Sequence, residues 1–240
     1  MAEPDVMPPY TVRRSTRARH IRLTVSNRDG LVVTLPPGVD DDAAHRVVAQ
    51  RAGWARRHLA KSEGLRARLS APAESLLPSV IELRGFGETW PVDYRETASG
   101  RTVARTTGAS VVVMGAIHDA EECLAALRRW RDRTAGERLP PLLEEVSSAT
   151  GLGYSGVSVR GQRTRWGSCS GAHRISLNRN LMFLPEHLLR YVLVHELAHT
   201  RERNHGPRFW GLMETLSPDS GASRGQMRDA GLLVPPWAHE

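Results

Sequence analysis

Residues 185–203 predict one apolar helix that carries two histidines and a glutamate. The stretch is PEHLLRYVLVHELAHTRER, in which Leu189, Val192 and Leu193 precede a His-Glu-x-x-His sequence at helical spacing. Pro185 suits the first position of such a helix. Ionisable side chains on a mostly buried helix are costly unless a partner satisfies them, and a zinc ion would supply that partner. This requirement constrains the fold more than any other feature of the chain.

The spacing of the two histidines is that of a metal-binding pair. Residues four apart lie on the same face of a helix, so His195 and His199 direct both imidazoles at one ion. Glu196 falls beside them, where it would take a proton from a zinc-activated water instead of binding the metal. A purely structural metal site has no need of such a base. The pattern therefore favours a catalytic zinc site with Glu196 as general base.

A catalytic zinc site usually has three protein ligands, and His205 is the candidate for the third. A helix that continued to this residue would carry it away from the histidine face. Asn204 suits a left-handed helix end and Gly206 permits a sharp turn, so we expect the helix to end near 204–206. Pro207 would then open another short helix.

Size, cysteine content and the N-terminal sequence limit the compartment. A chain of 240 residues suits one large domain or two small ones. No run nears the roughly 18 apolar residues that a membrane span needs, and MAEPDVMPPY does not resemble a signal peptide. The two cysteines offer no disulfide framework. We therefore expect a cytoplasmic protein that has no membrane partner.

Basic charge is concentrated in the N-terminal part of the chain. Residues 1–70 hold 13 Lys and Arg against 7 Asp and Glu, whereas residues 71–240 hold 20 against 19. Such a basic segment is typical of nucleic-acid binding. However, 32 of the 33 basic residues are arginine, which a coding bias of the whole chain would also produce. Both explanations stay open.

Turn signals and periodicity predict three segments, which together give an α+β fold. Residues 1–70 form a basic β-rich unit with three short strands and one helix over 40–64, which Gly64 closes and in which Trp54 faces the core. A connector is expected over 65–78. The segment 71–150 holds four strand candidates, SVIELRG, TWPVDYRE, RTVART and SVVVMGA, and then a helical stretch over 118–150 interrupted at Pro140-Pro141.

The segment 151–240 is predicted to be the catalytic core. YSGVSVRGQRTRWGSCS and RISLNRNLMFLP predict two strands joined by a turn near residues 171–173. This pair would form a small antiparallel sheet beside the histidine-bearing helix.

From residue 164 onward the sequence resembles the YgjP-like metallopeptidase domain family, with a looser similarity to SprT-like zinc metalloproteases. The motifs that carry the resemblance are RWGSCS at 165–170, ISLNRNL at 175–181, YVLVHELAHT at 191–200 and NHGPRFW at 204–210. The match is strong over about 160–215 and weaker in RRSTRARHIRLTV, LPPGV and RAGWARRHL near the N-terminus. One small departure is Gly206, where a serine is common.

The resemblance implies a zincin-like core of the gluzincin type. His195, His199 and His205 would bind one zinc ion per chain, and Glu196 would be the general base. No other cofactor is implied.

Several roles around this site stay open at the level of sequence. Candidates for a donor to the transition-state oxyanion are Arg163, Arg165, His173 and Asn178. Glu214 is one guess for the acceptor of a histidine N–H. The ISLNRNL strand would form the rim of a cleft where an extended peptide adds as a further strand, or else it is a core strand. Trp166 and Trp210 are expected to pack, and Cys169 to be structural.

We therefore expect a zinc-dependent metallohydrolase, and most of all a metallopeptidase that acts on polypeptides. One rival keeps the metal but hydrolyses a nucleotide or other phosphoanhydride, with arginines holding the phosphates. The chain has no glycine-rich phosphate loop of the usual kind. Another rival is a zinc-stabilised nucleic-acid-binding module without turnover, or a peptidase whose basic N-terminal unit holds DNA.

Overall fold

Two units make up the fold, Met1–Ala71 and Pro72–Glu240. The computed structural model describes residues 7–26, 29–69, 71–162 and 164–239. Both units combine helices with small sheets, which confirms the predicted α+β class. The second unit contains the whole of the histidine-bearing region.

The first unit is built on a sheet of three strands, as its β-branched runs predict. These strands are β1 (Tyr10–Arg14), β2 (Arg22–Ser26) and β3 (Gly30–Leu35). The central strand β3 is parallel to β1 and antiparallel to β2. Its Leu31, Val33 and Leu35 are fully buried and form the core of this unit with side chains from the helices.

The predicted single helix over 40–64 is wrong, because the chain forms two helices. They are α1 (Asp41–Gln50), capped by the side chain of Asp40, and α2 (Ala52–Leu69). Gly64 does not close α2, since only a glycine in the left-handed conformation ends a helix in this way and Gly64 has no positive φ. The predicted connector over 65–78 therefore contains the end of α2 and a short helix α3 (Ala73–Leu76). Trp54 is partly buried and packs against the core.

The second unit begins with a sheet of four strands, at the positions that the sequence predicts. They are β4 (Val80–Leu83), β5 (Glu88–Glu96), β6 (Val103–Thr107) and β7 (Ser110–Gly115), in the order β4-β5-β7-β6. The pairs β4–β5 and β6–β7 are antiparallel, and β5 runs parallel to β7. Their alternating buried residues contribute to the large core of this unit.

Helix α4 (Ala120–Thr150) crosses this core, and the predicted interruption at Pro140-Pro141 is wrong. Leu139 and Leu143, on either side of the prolines, are fully buried. Burying a leucine stabilises by about 2 kcal/mol. Several such side chains offset the roughly 3 kcal/mol that a proline costs inside a helix. Tertiary packing therefore overrides the local signal.

A second small sheet differs from the predicted antiparallel pair. It has three strands, β8 (Gly156–Arg160), β9 (Gly167–Cys169) and β10 (Arg174–Asn178), in the order β8-β10-β9. Only β9 is antiparallel to β10, whereas β8 is parallel to it. The predicted first strand is interrupted because the chain crosses from one side of β10 to the other between β8 and β9.

The histidine-bearing helix lies against this sheet. It is α5 (Glu186–Ala198), with Pro185 just before its first residue, and it is followed by α6 (Pro207–Leu216) and α7 (Ser220–Gln226). Pro207 opens α6, as predicted. Most of α5 is buried in the core, from Leu188 to Ala198. None of the described helices is long and apolar enough to cross a membrane.

An ion pair joins α4 to the first sheet of the second unit. Arg138 donates two hydrogen bonds to the Glu88 carboxylate, at 2.7 and 2.9 Å, and its guanidinium lies 4.2 Å from the centre of the Phe86 ring. The bonds from Arg138 hold the pKa of Glu88 below its ordinary value. A depressed pKa means that the pair stabilises the fold above the unfolded-state pKa, and that this stability is lost as the pH falls through the folded-state pKa.

We expect Glu88→Gln to lower the free energy of unfolding at pH 7 by about 1 kcal/mol, because the pair is bidentate but about one-third exposed. The difference from wild type should shrink as the pH falls below 4.5 and through the lowered pKa of the folded-state carboxyl group. Urea unfolding of both proteins at pH 7 and below pH 4.5 measures this difference. Glu82→Gln removes a more exposed pair with Arg84 and is the control. Equal losses in the two variants would contradict the prediction.

Candidate metal centre

Three histidines from α5 and the loop after it converge on one point. The Nε2 atom of His195 lies 3.3 Å from that of His199 and 3.0 Å from that of His205. One ligand atom from each lies within 4.8 Å of the other two, and no other such group occurs in the described part of the chain. The structure therefore brings together the three histidines predicted from the sequence.

The donor set fits a tetrahedral metal ion. Zinc–nitrogen bonds of about 2.0–2.1 Å place two ligand nitrogens roughly 3.3 Å apart at tetrahedral angles. Burial, and then the neighbouring His199 and His205, lower the pKa of His195 to about 3. Burial also lowers the pKa of His205. Both imidazoles are therefore neutral at physiological pH, which is the form that binds a metal.

The helix ends earlier than the sequence predicts. Helix α5 stops at Ala198, and His199 already occupies its C-terminal cap. The following turn is closed by short-range bonds from Thr200 to Leu197 and from Arg201 to Ala198. The predicted end at 204–206 is wrong, and Asn204 is not left-handed, since His173 is the only non-glycine residue with positive φ in the described ranges.

Gly206 also differs from its predicted role. It is extended, with φ −83° and ψ −175°, and it is the N-terminal cap of α6. The break after α5 nevertheless carries His205 back to the other two histidines, because the chain leaves the helical path six residues before it.

Aromatic rings pack against two of the histidines. His199 stacks on Phe209, with ring centres 4.6 Å apart, and His205 packs on Trp210 at 5.7 Å. Trp210 Nε1 also donates to the backbone oxygen of His205 at 2.9 Å. The guanidinium of Arg224 lies 4.1 Å from the centre of the Trp210 ring. The exposed His205 is therefore positioned by the first turns of α6.

The second ring nitrogens have different surroundings from the predicted ones. Nδ1 of His199 is 3.0 Å from the backbone oxygen of Glu202. Nδ1 of His195 is buried without a hydrogen-bond partner among the described residues. Glu214, the guess made from the sequence, makes no hydrogen bond to any of the three histidines within this part of the chain. A main-chain carbonyl therefore fixes the His199 ring.

Glu196 lies beside the histidines in a buried position. It is 5% exposed, and its Oε2 atom has no hydrogen-bond partner among the described residues. Burial raises the pKa of Glu196 to about 7, and the charge of Arg165 opposes this shift. A carboxyl group with a pKa near neutrality both accepts and returns a proton. Glu196 thus has the acid–base properties that a general base requires.

Glu196 packs directly against the backbone of β9. A Cβ atom on Gly167 would lie 2.6 Å from Cγ and 2.7 Å from Oε1 of Glu196. Contacts this short do not occur, so any side chain at position 167 would displace the carboxyl group. Gly167 was not predicted as a site residue, although it lies within the RWGSCS motif.

A cleft of about 430 Å³ opens between β9 and the histidines. One wall is β9 with its flanks, residues 165–171, and the other is α5 with the loop after it. The predicted rim strand ISLNRNL is wrong in this role, because β10 is the central strand and is paired on both edges. Among the described strands, β9 is paired only with β10, so its other edge is free, and its residues line the cleft.

Three of the four candidates for an oxyanion donor lie within the described residues, each in a different place. Arg165 lines the cleft. His173 lies at the turn between β9 and β10 and lines a separate depression. Asn178 is buried, and its Nδ2 donates to the backbone oxygens of Gln162 and Arg165 at 2.7 and 2.9 Å. Arg163 lies outside the described residues.

Two further predictions concern packing and the thiol. Trp166 and Trp210 are half-buried and pack against the core. Cys169 is a free thiol that lines the cleft, and burial raises its pKa. It does not belong to the group of converging ligand atoms.

Comparison with known proteins gives one family match. The model of the family described as "YgjP-like, metallopeptidase domain" matches residues 19–230. A search of curated proteins found no significant match.

Two solved structures resemble part of the chain. The metallopeptidase zymogen jannalysin from Methanocaldococcus jannaschii is 18% identical, with a TM-score of 0.34, and the match covers 38% of this chain and 93% of that one. The metallopeptidase zymogen abylysin from Pyrococcus abyssi is 24% identical, with a TM-score of 0.33 and the same coverage.

Asn178 is expected to hold the loop that carries Arg165. Asn178→Ala removes two hydrogen bonds to loop carbonyls and one that its Oδ1 atom accepts from the Asn180 N–H, and we expect it to lower the free energy of unfolding by about 2 kcal/mol. Ser176→Ala is a matched control on the same strand, because it removes one bond to the same loop, from Gln162. Urea unfolding compares the variants. A smaller loss for Asn178→Ala than for Ser176→Ala would contradict this role.

Proposed function

The chain belongs to the YgjP-like metallopeptidase domain family, and we propose that it is a zinc-dependent peptidase with His195, His199 and His205 as metal ligands and Glu196 as general base. The observation that carries the proposal is the convergence of three imidazole Nε2 atoms beside a buried carboxyl group whose pKa is near neutrality. Three imidazoles with one open position are typical of catalytic zinc sites, and we propose one ion per chain.

When bound, zinc would act as a Lewis acid on the peptide carbonyl and lower the pKa of a water molecule. A residue of the chain would transfer the proton. Glu196 would take a proton from the attacking water as the new carbon–oxygen bond forms. It would then give that proton to the leaving nitrogen as the peptide bond breaks, so no other proton donor is needed.

The free edge of β9 supports a polypeptide as the substrate. An extended peptide would pair with this edge through its backbone, as in other proteins that bind peptides by strand addition. The residues of β9 and its C-terminal flank are small, from Gly167 to Gly171, and leave room for a chain of varied sequence. This gives β9 the rim role that the sequence had suggested for β10.

Arg165 is the proposed donor to the carbonyl oxygen in the transition state. It lines the cleft, and its charge acts on the Glu196 carboxyl group. Donors of this kind act on the negative charge that develops on the oxygen during attack. Binding of nucleic acid by the N-terminal unit stays a prediction from its charge alone.

Metal content tests the ligand set. We expect about one zinc ion per chain in wild type and in Glu196→Gln, and clear loss of zinc in His205→Ala, because glutamate is not a ligand in this assignment. Mass spectrometry of the purified proteins measures the metal. Glu196→Gln should lower kcat by at least about 100-fold on a peptide that the wild type cleaves. Zinc retained in His205→Ala would place the third ligand elsewhere.

The steric role of Gly167 gives a separate test of the general base. We expect Gly167→Ala to keep its zinc but to lose at least about tenfold in kcat, because the added methyl group displaces the Glu196 carboxyl group. Gly171→Ala adds the same methyl group in the same cleft, where it meets only the Arg203 guanidinium at 3.4–3.6 Å.

Zinc content and the steady-state kinetics of both variants are the measurements. Similar kcat values in the two variants would show that the contact at Gly167 does not position the base.

A further inference from the structure

Arg203 lines the cleft beside the turn that follows β9. It lies in the loop between α5 and α6, and its Nη2 atom donates to the backbone oxygen of Gly171 at 2.7 Å. Three atoms of its guanidinium lie 3.4–3.6 Å from the place where a Cβ of Gly171 would be. The guanidinium therefore rests on the turn that follows β9, and a backbone carbonyl holds it there.

Within the described part of the cleft, the charge of Arg203 has no acidic partner. Among the described residues that line it, Glu196 is the only acid. Arg203 forms no salt bridge within the described ranges. The charge that lowers the pKa of Glu196 is that of Arg165 and not that of Arg203. Arg203 does act on the thiol of Cys169, which also experiences the charge of Glu196. Along the chain, Cys169 lies between Gly167, against which Glu196 packs, and Gly171, which accepts a hydrogen bond from Arg203.

A guanidinium that one bond already holds in place is suited to bind an anion. It keeps further N–H donors, and a carboxylate accepts two of them in a planar arrangement. Because the group is already held, less conformational entropy is lost when the anion binds. Among the described residues that line the cleft, the one carboxyl group is that of Glu196, and it forms no salt bridge with Arg203, so the substrate is the natural source of an anion.

We propose that Arg203 binds a carboxylate of the polypeptide substrate, about three residues from the bond that is cleaved. The proposal rests on the peptidase function proposed above and adds the chemical class of the substrate. Glu196 packs on Gly167, and Arg203 rests on the turn that begins at Ser170. Gly167 and Gly171 are four positions apart, which is roughly 13 Å in an extended strand and less where the chain turns after β9, so a peptide alongside β9 reaches Arg203 about three residues from the reacting bond.

The carboxylate has two sources, an acidic side chain within the peptide or the free C-terminus of a short one. The first makes the protein an endopeptidase with an acidic preference. The second makes it an enzyme that removes a short piece from a chain end. Both sources use the same contact with Arg203, and peptides with an amidated C-terminus separate them.

Peptide binding to a variant that does not cleave its substrate gives the direct test. The zinc-loaded Glu196→Gln protein is titrated with fluorescent peptides in which one aspartate is moved along a neutral sequence. Each peptide is made with a free and with an amidated C-terminus, and fluorescence anisotropy gives the Kd. The same peptides are tested with Arg203→Gln, Arg203→Lys and Arg203→Glu added. Arg201→Gln is the matched control, since Arg201 is exposed in the same loop and does not line the cleft.

We expect an aspartate at one position, or a free C-terminus, to tighten binding about fivefold to tenfold. Arg203→Gln should abolish this preference, Arg203→Lys should keep part of it, and Arg203→Glu should favour lysine at the same position. Arg201→Gln should behave as the unsubstituted Glu196→Gln protein. A preference that survives in Arg203→Gln, or no preference at any position, overturns the proposal.

Cleavage by the wild-type chain separates this proposal from the one on which it rests. Cleavage of peptides without any carboxylate preference would overturn the role of Arg203 and leave the peptidase function standing. A carboxylate preference that depends on Arg203, in a chain that cleaves no peptide, would support the binding site and overturn the peptidase function.

Discussion

The burial of α5 is the constraint on which the rest of the second unit depends. This helix places Leu193 and Leu197 in the core, and the same short stretch must carry His195 and Glu196. Buried polar groups are costly, and elements outside the helix surround these two side chains. The loop after α5 returns His205 to the pair of histidines, and β9 covers Glu196. The site is therefore formed where an apolar helix meets an edge strand.

Local pattern was enough to predict the elements and one face of the site. The i, i+4 spacing placed His195 and His199 together, and the alternation of apolar residues located the strands of both units. The third histidine was also predicted, although for a partly wrong reason. Asn204 and Gly206 suggested a left-handed end, whereas the helix ends at Ala198 through short-range turns. Several conformations of a loop bring its end residue to the same place.

What the sequence could not predict depends on partners that are distant along the chain. The two prolines of α4 are tolerated because leucines on either side of them are buried, and no local propensity contains that information. The order β8-β10-β9 likewise follows from pairing between strands, so the strand that lines the cleft and has a free edge is β9 and not β10. Gly167 and Arg203 were missed for the same reason, since each acts on a residue more than 25 positions away.

The two ends of β9 divide the cleft by chemistry. At its start, Gly167 admits the buried carboxyl group of Glu196, whose acid–base behaviour depends on exclusion of water. Past its end, the backbone of Gly171 holds an exposed cation, whose strength as an anion binder depends on access to the substrate. Exclusion of water and access to the substrate cannot be met at the same place, and the three residues of β9 are enough to separate the two side chains. Gly206, the N-terminal cap of α6, destabilises that helix little, because a helix loses only a few tenths of a kcal/mol when glycine replaces serine as its N-terminal cap.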